Sequence, residues 1–523
     1  MNGKRALPAL REPGACLEGL WRRTPDYVRW TFLSAVVLGL GTHLYMFTNK
    51  LTNHDDIGHL LHADYGTASG RWLLPPILRL DGPFSTPWLI GLLSILCLAG
   101  AACFTVSLLR IRRPLSCALT AAVLVSFPTV AATFSYMFSA DAYFLSLLLA
   151  ALGAWASVRR GWTGSALGAA ALTLSLGIYQ AYFPIAAALM VGALLFETLD
   201  GEKPLRALLL KGVRLAATLA AGLAAYMAVV RLTTRDHGLV DYMGLQDMGK
   251  LSLPEIPRLV LESYGRYVTF YLKDDTSCHF GFLTLLFPLM ALGTVALAAS
   301  LLRRRHLGPA RTALALALAL VYPLAADLIY LMVPGGGIHT LMIYGLAYLL
   351  LAPLALADYA SPFFREGAGL HAAVSWLAAL TVGLTSWSYM ITDNSAYLKI
   401  DLSMRQIAAY SDRLLARIEC CEGYEPGMDV VLVGSDVRED TLAPTPELYE
   451  VQLIGVFDMG GFRTAYSYER YLRYYLGFTD PVYTGDTQRA RDLAAAEQVR
   501  AMPLYPLAGS VRIVDGAVVV RLN

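Results

Sequence analysis

Long apolar runs separated by short polar connectors fill the chain through residue 392. Stretches of about 18–24 residues, enough to cross ~30 Å of hydrocarbon, recur at 27–48, 87–109, 114–132, 137–157, 163–179, 181–198, 208–231, 279–302, 311–333, 339–358 and 370–391. They predict eleven membrane-spanning helices. The fifth and sixth runs meet at Tyr179–Tyr182 with almost no polar break. Beyond 392 the pattern changes. Leu402–Ile418 reads as a helix, Asp429–Gly434 (DVVLVG) as a strand, and Tyr468–Tyr475 (YERYLRYY) as an aromatic-rich helix. Val511–Val514 and Ala517–Leu522 flank Asp515-Gly516, a two-residue hairpin signal. The expected plan is a basic segment 1–26, a transmembrane body 27–392 and a small α/β domain 393–523.

Composition agrees with a polytopic membrane protein. Hydrophobic residues make up 56%, charged residues 16%, and the mean hydropathy is +0.50, whereas soluble chains carry about 25% charged residues. A net charge of +2 excludes a broadly basic nucleic-acid binder. The tail from Asp393 carries 19 acidic and 13 basic side chains, against 21 and 29 in the body, which marks it as the water-soluble part. Seven cysteines form no CxxC pair, so neither a zinc site nor a redox motif is signalled; adjacent Cys420 and Cys421 read as incidental. The first apolar run is too long for a cleaved signal peptide and reads as a retained helix.

Arginine placement sets the expected orientation. With the N-terminus cytoplasmic, the clusters Arg110/Arg112/Arg113, Arg159/Arg160 and Arg303–Arg305 all fall inside. Eleven spans then put the tail outside. Two outside loops, 49–86 and 233–277, are longer than connectors need to be. Leu60, Leu61 and Tyr65 in the first, and Leu259, Leu261, Tyr264 and Tyr267 in the second, predict short amphipathic helices at the membrane surface.

The first of these loops holds the densest chemistry: Asn53-His54-Asp55-Asp56-Ile57-Gly58-His59, then Gly70-Arg71-Trp72. Adjacent carboxylates repel unless a cation compensates them. At a membrane surface, Asp55 or Asp56 can serve as a general base toward a sugar hydroxyl, with His54 beside them as a substrate contact. Arg71 suits a phosphate, as do Arg231 and Arg235 at the outer end of the seventh run. The structural alternative is a helix cap, with Asn53 or Asp55 capping and Asp56 favouring the positive helix end. Asp141, Tyr179 and Gln180 sit at outer helix ends and are further substrate-contact candidates. Asp327, inside the ninth run, reads either as functional or as half of a buried pair. His54, His59 and His62 with Asp55 and Asp56 match no standard metal spacing, so no metal is assigned; magnesium or manganese is the lesser alternative. No GxSxG, HExxH or phosphate-loop pattern occurs.

Asn53-His54-Asp55-Asp56 followed by Ser69-Gly70-Arg71-Trp72 resembles the GtrII-type family of bacterial membrane glucosyltransferases. The likeness extends through Phe134–Tyr143 (FSYMFSADAY) and Leu176–Tyr182 (LGIYQAY), and reaches Met502–Pro506 in the tail. It implies the GT-C architecture, a polyprenyl-phosphate sugar donor such as undecaprenyl-phosphate glucose, and a cell-surface acceptor such as O-antigen, teichoic acid or another wall glycan. It also implies a bacterial plasma membrane location and places the base, or a metal ligand, at Asp55 or Asp56. Two other functions compete: a transporter or flippase of lipid-linked sugars, and a non-catalytic surface-glycan assembly protein. Transporters place charges at the midplane and often show inverted repeats. Here the ionisable residues gather at the outer surface and no repeat is visible.

Overall fold

Prolines punctuate the apolar body, and several of its helices open on one. Pro fits a first turn, where its missing N–H has no intrahelical partner to lose. The computed structural model describes residues 12–60, 67–235, 253–273, 278–333, 337–364, 369–434, 468–485 and 487–522. A short basic helix α1 (Pro13–Arg23) precedes α2 (Asp26–Thr48), and the first long loop carries α3 (His54–Gly58) and α4 (Leu74–Leu78). The body continues with α5 (Pro87–Leu108), α6 (Pro114–Ser126), α7 (Pro128–Phe134), α8 (Ala140–Arg159), α9 (Gly161–Ile178), α10 (Phe183–Asp200) and α11 (Leu205–Thr233). The second loop contributes α12 (Ile256–Val268). Then come α13 (Leu283–Arg305), α14 (Pro309–Ala326), α15 (Leu328–Met332), α16 (Ala347–Ala360) and the long α17 (Gly369–Glu419).

Among the described residues, nine helical segments are long and apolar enough to cross a membrane, or ten if α6 and α7 form one broken span. The expected eleven is corrected to that extent. Pro128 forces the break: it pushes Phe127 to an extended conformation (φ −61°, ψ 136°), and the two helices meet at 43°. The Gly161–Ile178 helix, rich in Gly, Ser and Thr, is the predicted span missing from that set, although it packs along α8 and α11. The ninth predicted run is split at Asp327 into α14 and α15.

Both long loops contain short helices: in the first, Leu60 follows α3, and Leu61 and Tyr65 of the predicted helix lie outside the described residues, while in the second the predicted helix is α12. On α12, Leu259, Ser263 and Tyr267 form the buried stripe, whereas Leu261 is exposed. Asp327 is the residue that fastens α12. Its Oδ2 accepts from Ser263 Oγ and from Arg266 Nε, both at 3.0 Å, and Tyr267 O–H donates to the Pro323 carbonyl at 2.8 Å. The carboxylate is therefore half of a buried pair.

Polar bonds also fasten α2 to the later helices. His43 Nε2–H donates to the Val125 carbonyl at 2.8 Å, and its Nδ1 is bonded to the Tyr397 hydroxyl, 2.7 Å away. The three arginine clusters collect at one end of the bundle. There Arg110 forks onto Asp200 with two 2.6 Å bonds, Arg159 reaches the Ser107 carbonyl, and Arg305 holds the Leu199 carbonyl. The α3 loop lies at the other end, since α5, about 33 Å long by its 22 residues, separates the two.

Helix α17 runs 51 residues and passes position 392 without a break, so the helix predicted at 402–418 is its continuation. The tail adds β1 (Val430–Val433), α18 (Tyr468–Leu476), β2 (Val482–Tyr483), α19 (Gln488–Ala495), α20 (Glu497–Arg500), β3 (Val511–Val514) and β4 (Ala517–Arg521). The sheet order is β2-β1-β4-β3, with β1 parallel to both neighbours and β3–β4 antiparallel. Asp515 and Gly516 both have positive φ (48° and 74°), the mirror-image turn that Asp-Gly favours. Strand residues alternate between two cores: Val430, Leu432, Val518 and Val520 face α17 and α18, while Val431, Val433 and Val519 face α19. Cys420 and Cys421 are free thiols.

Removing one partner of a buried ion pair strands the other. Arg266→Met should therefore destabilise the protein by about 3 kcal/mol, and a second change, Asp327→Asn, should restore most of the loss. Thermal unfolding in detergent measures both.

Candidate active site

Asn53 starts α3: its Oδ1 accepts from the Asp56 N–H at 2.8 Å, the capping role expected of it. That places Asp56 inside. Its side chain is fully buried, and its oxygens accept from Lys50 Nζ (2.8 Å), Ser85 Oγ (3.0 Å) and the Phe138 backbone N–H (2.9 Å). Lys50 also donates to Ser85 Oγ at 2.8 Å. The cation that adjacent carboxylates require is thus Lys50, six residues upstream, which sequence reasoning missed. A lone lysine just past the first helix was the available signal.

Asp55 stands differently. It is partly exposed, and its carbonyl accepts from His59 Nδ1 at 2.8 Å. The His59 ring stacks on Phe138 at 4.4 Å. His54 is the first residue of α3, and His62 lies outside the described residues. Among the described residues no three His, Cys, Asp or Glu side chains converge as metal ligands. With Asp56 engaged by Lys50, Asp55 is the acidic side chain of this pair that is partly open to solvent.

A second cluster builds on the Phe138 segment. Tyr143, in the first turn of α8, stacks on Tyr179 at the end of α9, rings parallel and 4.2 Å apart. The Arg71 guanidinium sits 5.7 and 5.2 Å from the two ring centres and donates to Tyr143 Oη at 2.8 Å. Gln180 Nε2 donates to the Ser69 carbonyl (3.2 Å) and to Tyr226 Oη (2.9 Å), and Leu73 N–H donates to the Gly177 carbonyl (2.9 Å). Trp72 lies so close to Gly177 that a Cβ there would come within 2.6 Å of the indole. The Ser69–Leu73 stretch is therefore stitched to the end of α9. Burial and the Arg71 charge both lower the His339 pKa. Asp141 is buried at the start of α8, its Oδ1 accepting from the Ala142 N–H at 2.8 Å.

Arg71, Tyr179 and Gln180 thus meet in one cluster, joined to the acidic loop through the 138–143 segment, whose Phe138 N–H holds Asp56. Asp141 lies toward Asp81 and toward Cys97 of α5, and among the described residues no bond joins it to that cluster. Arg231 and Arg235 are exposed at the end of α11 and, among the described residues, neither bonds to this cluster. Tyr143, Tyr226 and His339 were not singled out by their spacing; they join through folds of chain far apart in sequence.

An apolar groove of about 710 Å³ runs between α10, α13, α14 and α16. Tyr267, Tyr271 and Leu272 line it near the α12 end, and Leu199, Leu301 and Leu302 near the arginine end. The turn at 340–346 joins groove and cluster: Tyr179 O–H donates to the Leu341 carbonyl (3.4 Å) and Tyr271 O–H to the Leu346 carbonyl (2.8 Å).

A polytopic membrane protein with a polar site at one end of its helical bundle and an apolar groove beside it is the class this architecture defines. Residues 44–350 match the family model for glucosyl transferase GtrII, more than half of the chain, and the chain belongs to that family. Neither a search of curated proteins nor one of solved structures returned a match.

The two carboxylates should respond differently to the same change. Asp56→Asn removes a charged acceptor from Lys50 and should cost about 1.5–3 kcal/mol. Asp55→Asn should stay within about 0.5 kcal/mol of wild type. Unfolding midpoints of the two variants compare them directly.

Proposed function

We propose that the protein transfers glucose from a polyprenyl-phosphate donor to a hydroxyl of a cell-surface glycan at the outer face of the membrane. The observation that carries this reading is the placement of Arg71. It is held over the Tyr143–Tyr179 ring pair, at the end of the bundle that carries the acidic loop, and the 340–346 turn ties it to the apolar groove. A lipid-phosphate sugar has that shape: an apolar chain, a phosphate at the membrane surface and a sugar beyond it. The groove suits the chain, Arg71 the phosphate, and Tyr179 and Gln180 line the approach of the sugar.

In this reading Asp55 takes the proton of the acceptor hydroxyl. The acceptor oxygen forms the new bond to the anomeric carbon as the bond from that carbon to the donor phosphate oxygen breaks. The lipid phosphate leaves with the electron pair, and Arg71 stabilises its added charge. Asp56, neutralised by Lys50 and saturated by hydrogen bonds, is assigned a positioning role. Arg71 is preferred over Arg231 and Arg235 as the phosphate ligand because it is built into the site. A transporter reading would want ionisable groups at mid-bundle, and Asp327 is tied to Arg266.

Asparagine keeps the shape of aspartate but takes no proton. Asp55→Asn should lower turnover by ~10²–10⁴-fold while donor binding persists, and Arg71→Ala should weaken binding of the lipid-phosphate sugar by about tenfold or more, the loss of a charged hydrogen bond. Steady-state transfer and donor-binding titrations separate the two effects; near-normal rates in Asp55→Asn contradict its role as base.

The orientation rests on the arginine clusters sharing one end of the bundle. Cys16 and Cys420 are both exposed, one before the first span and one in the tail. In chains retaining either cysteine alone, a membrane-impermeant maleimide should label Cys420 in intact cells and Cys16 only after permeabilisation. The reverse pattern contradicts an outer active site.

A further inference from the structure

The family match ends at residue 350, so it assigns nothing to the C-terminal domain, yet that domain reaches back to the acidic loop. Ile57, the residue after Asp56, is fully buried in the core of the tail with Ile407, Leu414, Tyr468 and Tyr471. Arg470 of α18 donates to the Gly58 carbonyl. The Thr52 N–H approaches Met404 Sδ at 3.2 Å. Tyr475 lies close enough to Asp56 that burial and that carboxylate's charge raise its phenol pKa. One side of α3 is therefore fastened to the body through Asp56, and the other to the tail through Ile57 and Gly58.

A helix of five residues has no stability of its own, because its nucleation cost is never repaid by propagation. The direction of the Asp55 carboxylate is set by whatever grips the turn on both sides. Helix α17 makes the second grip rigid. It is continuous from the bundle into the tail and is bonded to α2 just before α3, through Asn394 Nδ2 to the Thr42 carbonyl (3.1 Å) and Tyr45 O–H to Asp401 (2.9 Å).

We propose that the C-terminal domain is the positioning element of the reaction: Ile57 and Arg470 lock α3 against the tail and thereby aim Asp55 at the acceptor. The proposal rests on the reading of Asp55 as base. It makes Arg470 a positioning residue, remote from donor phosphate and sugar, whose loss disorders a nucleophile-activating group without emptying the donor site. Misplacement by about 1 Å is enough to cost up to ~10²-fold in rate.

The test uses the full-length protein carrying Arg470→Ala, Ile57→Ala or the conservative Arg470→Lys. Amide hydrogen exchange over residues 53–60 should rise at least about tenfold in the two alanine variants, while exchange in the strands and membrane helices is unchanged. Their kcat should fall ~10–100-fold with donor KM within about twofold of wild type. Arg470→Lys, which still donates to the Gly58 carbonyl, should recover most of the rate. Unchanged exchange in this segment overturns the clamp; a loosened segment with wild-type kcat overturns its role in positioning. Arg470 is exposed, so Arg470→Ala carries the test if Ile57→Ala does not fold. A wild-type protein that releases no sugar from lipid-phosphate donors overturns the functional reading instead, and the exchange measurement still decides whether the tail grips the loop.

Discussion

A carboxylate with no exposure to solvent holds this molecule's site together. Desolvating Asp56 is costly unless its charge and its lone pairs are met, and Lys50, Ser85 and the Phe138 N–H meet them from three separate stretches of chain. Each of those partners does a second job. Lys50 follows α2, Ser85 closes the first long loop just before α5, and Phe138 leads into α8. The acidic loop, the loop's far end and the start of α8 therefore share one polar centre, and Asp55 inherits its place from that centre.

The same centre links the acidic loop to the cation. Three residues beyond Phe138 comes Asp141, and then Tyr143, which with Tyr179 forms the aromatic seat of Arg71. A guanidinium resting on two stacked phenol rings is held in orientation by its contact with both ring faces and by its bond to Tyr143 Oη. At the opposite end of the bundle Arg110 is paired with Asp200, and Arg305 holds helix-end carbonyls. Those cations fasten helix ends at the far end of the bundle, whereas Arg71 stands in the site.

Much of the fold was legible from the sequence because the bilayer imposes a coarse rule, that apolar runs of spanning length become helices. Most helix bounds fall within a few residues of the apolar runs, and the Asp515-Gly516 turn closes the predicted hairpin; the 339–358 run is an exception, since tight turns fill 340–346 and α16 begins only at Ala347. The ninth run is split at Asp327, and two further departures have physical causes. Phe127 precedes a proline, so one apolar run became two helices. The boundary expected near 392 from composition leaves no mark in the backbone, and α17 crosses it as one helix. In the site, Asn53, Asp55, Asp56 and Arg71 were visible as a polar cluster in an apolar chain. Their division of labour was not, since it depends on Lys50, Phe138 and Ile57 meeting across long sequence separations. Ile57 reads as an ordinary apolar residue of a polar loop; only the folded tail shows what covers it. Asp327 had two readings, and Arg266 on a separate loop decided between them.

The claim on which the account turns is that the sugar arrives on a lipid phosphate. Purified protein in liposomes containing polyprenyl-phosphate glucose, supplied with a wall-glycan acceptor and no nucleotide sugar, tests it most directly. The account predicts that free polyprenyl phosphate accumulates in step with glucosylated acceptor. No release of lipid phosphate, with glucose transferred only when a nucleotide sugar is added, would contradict it.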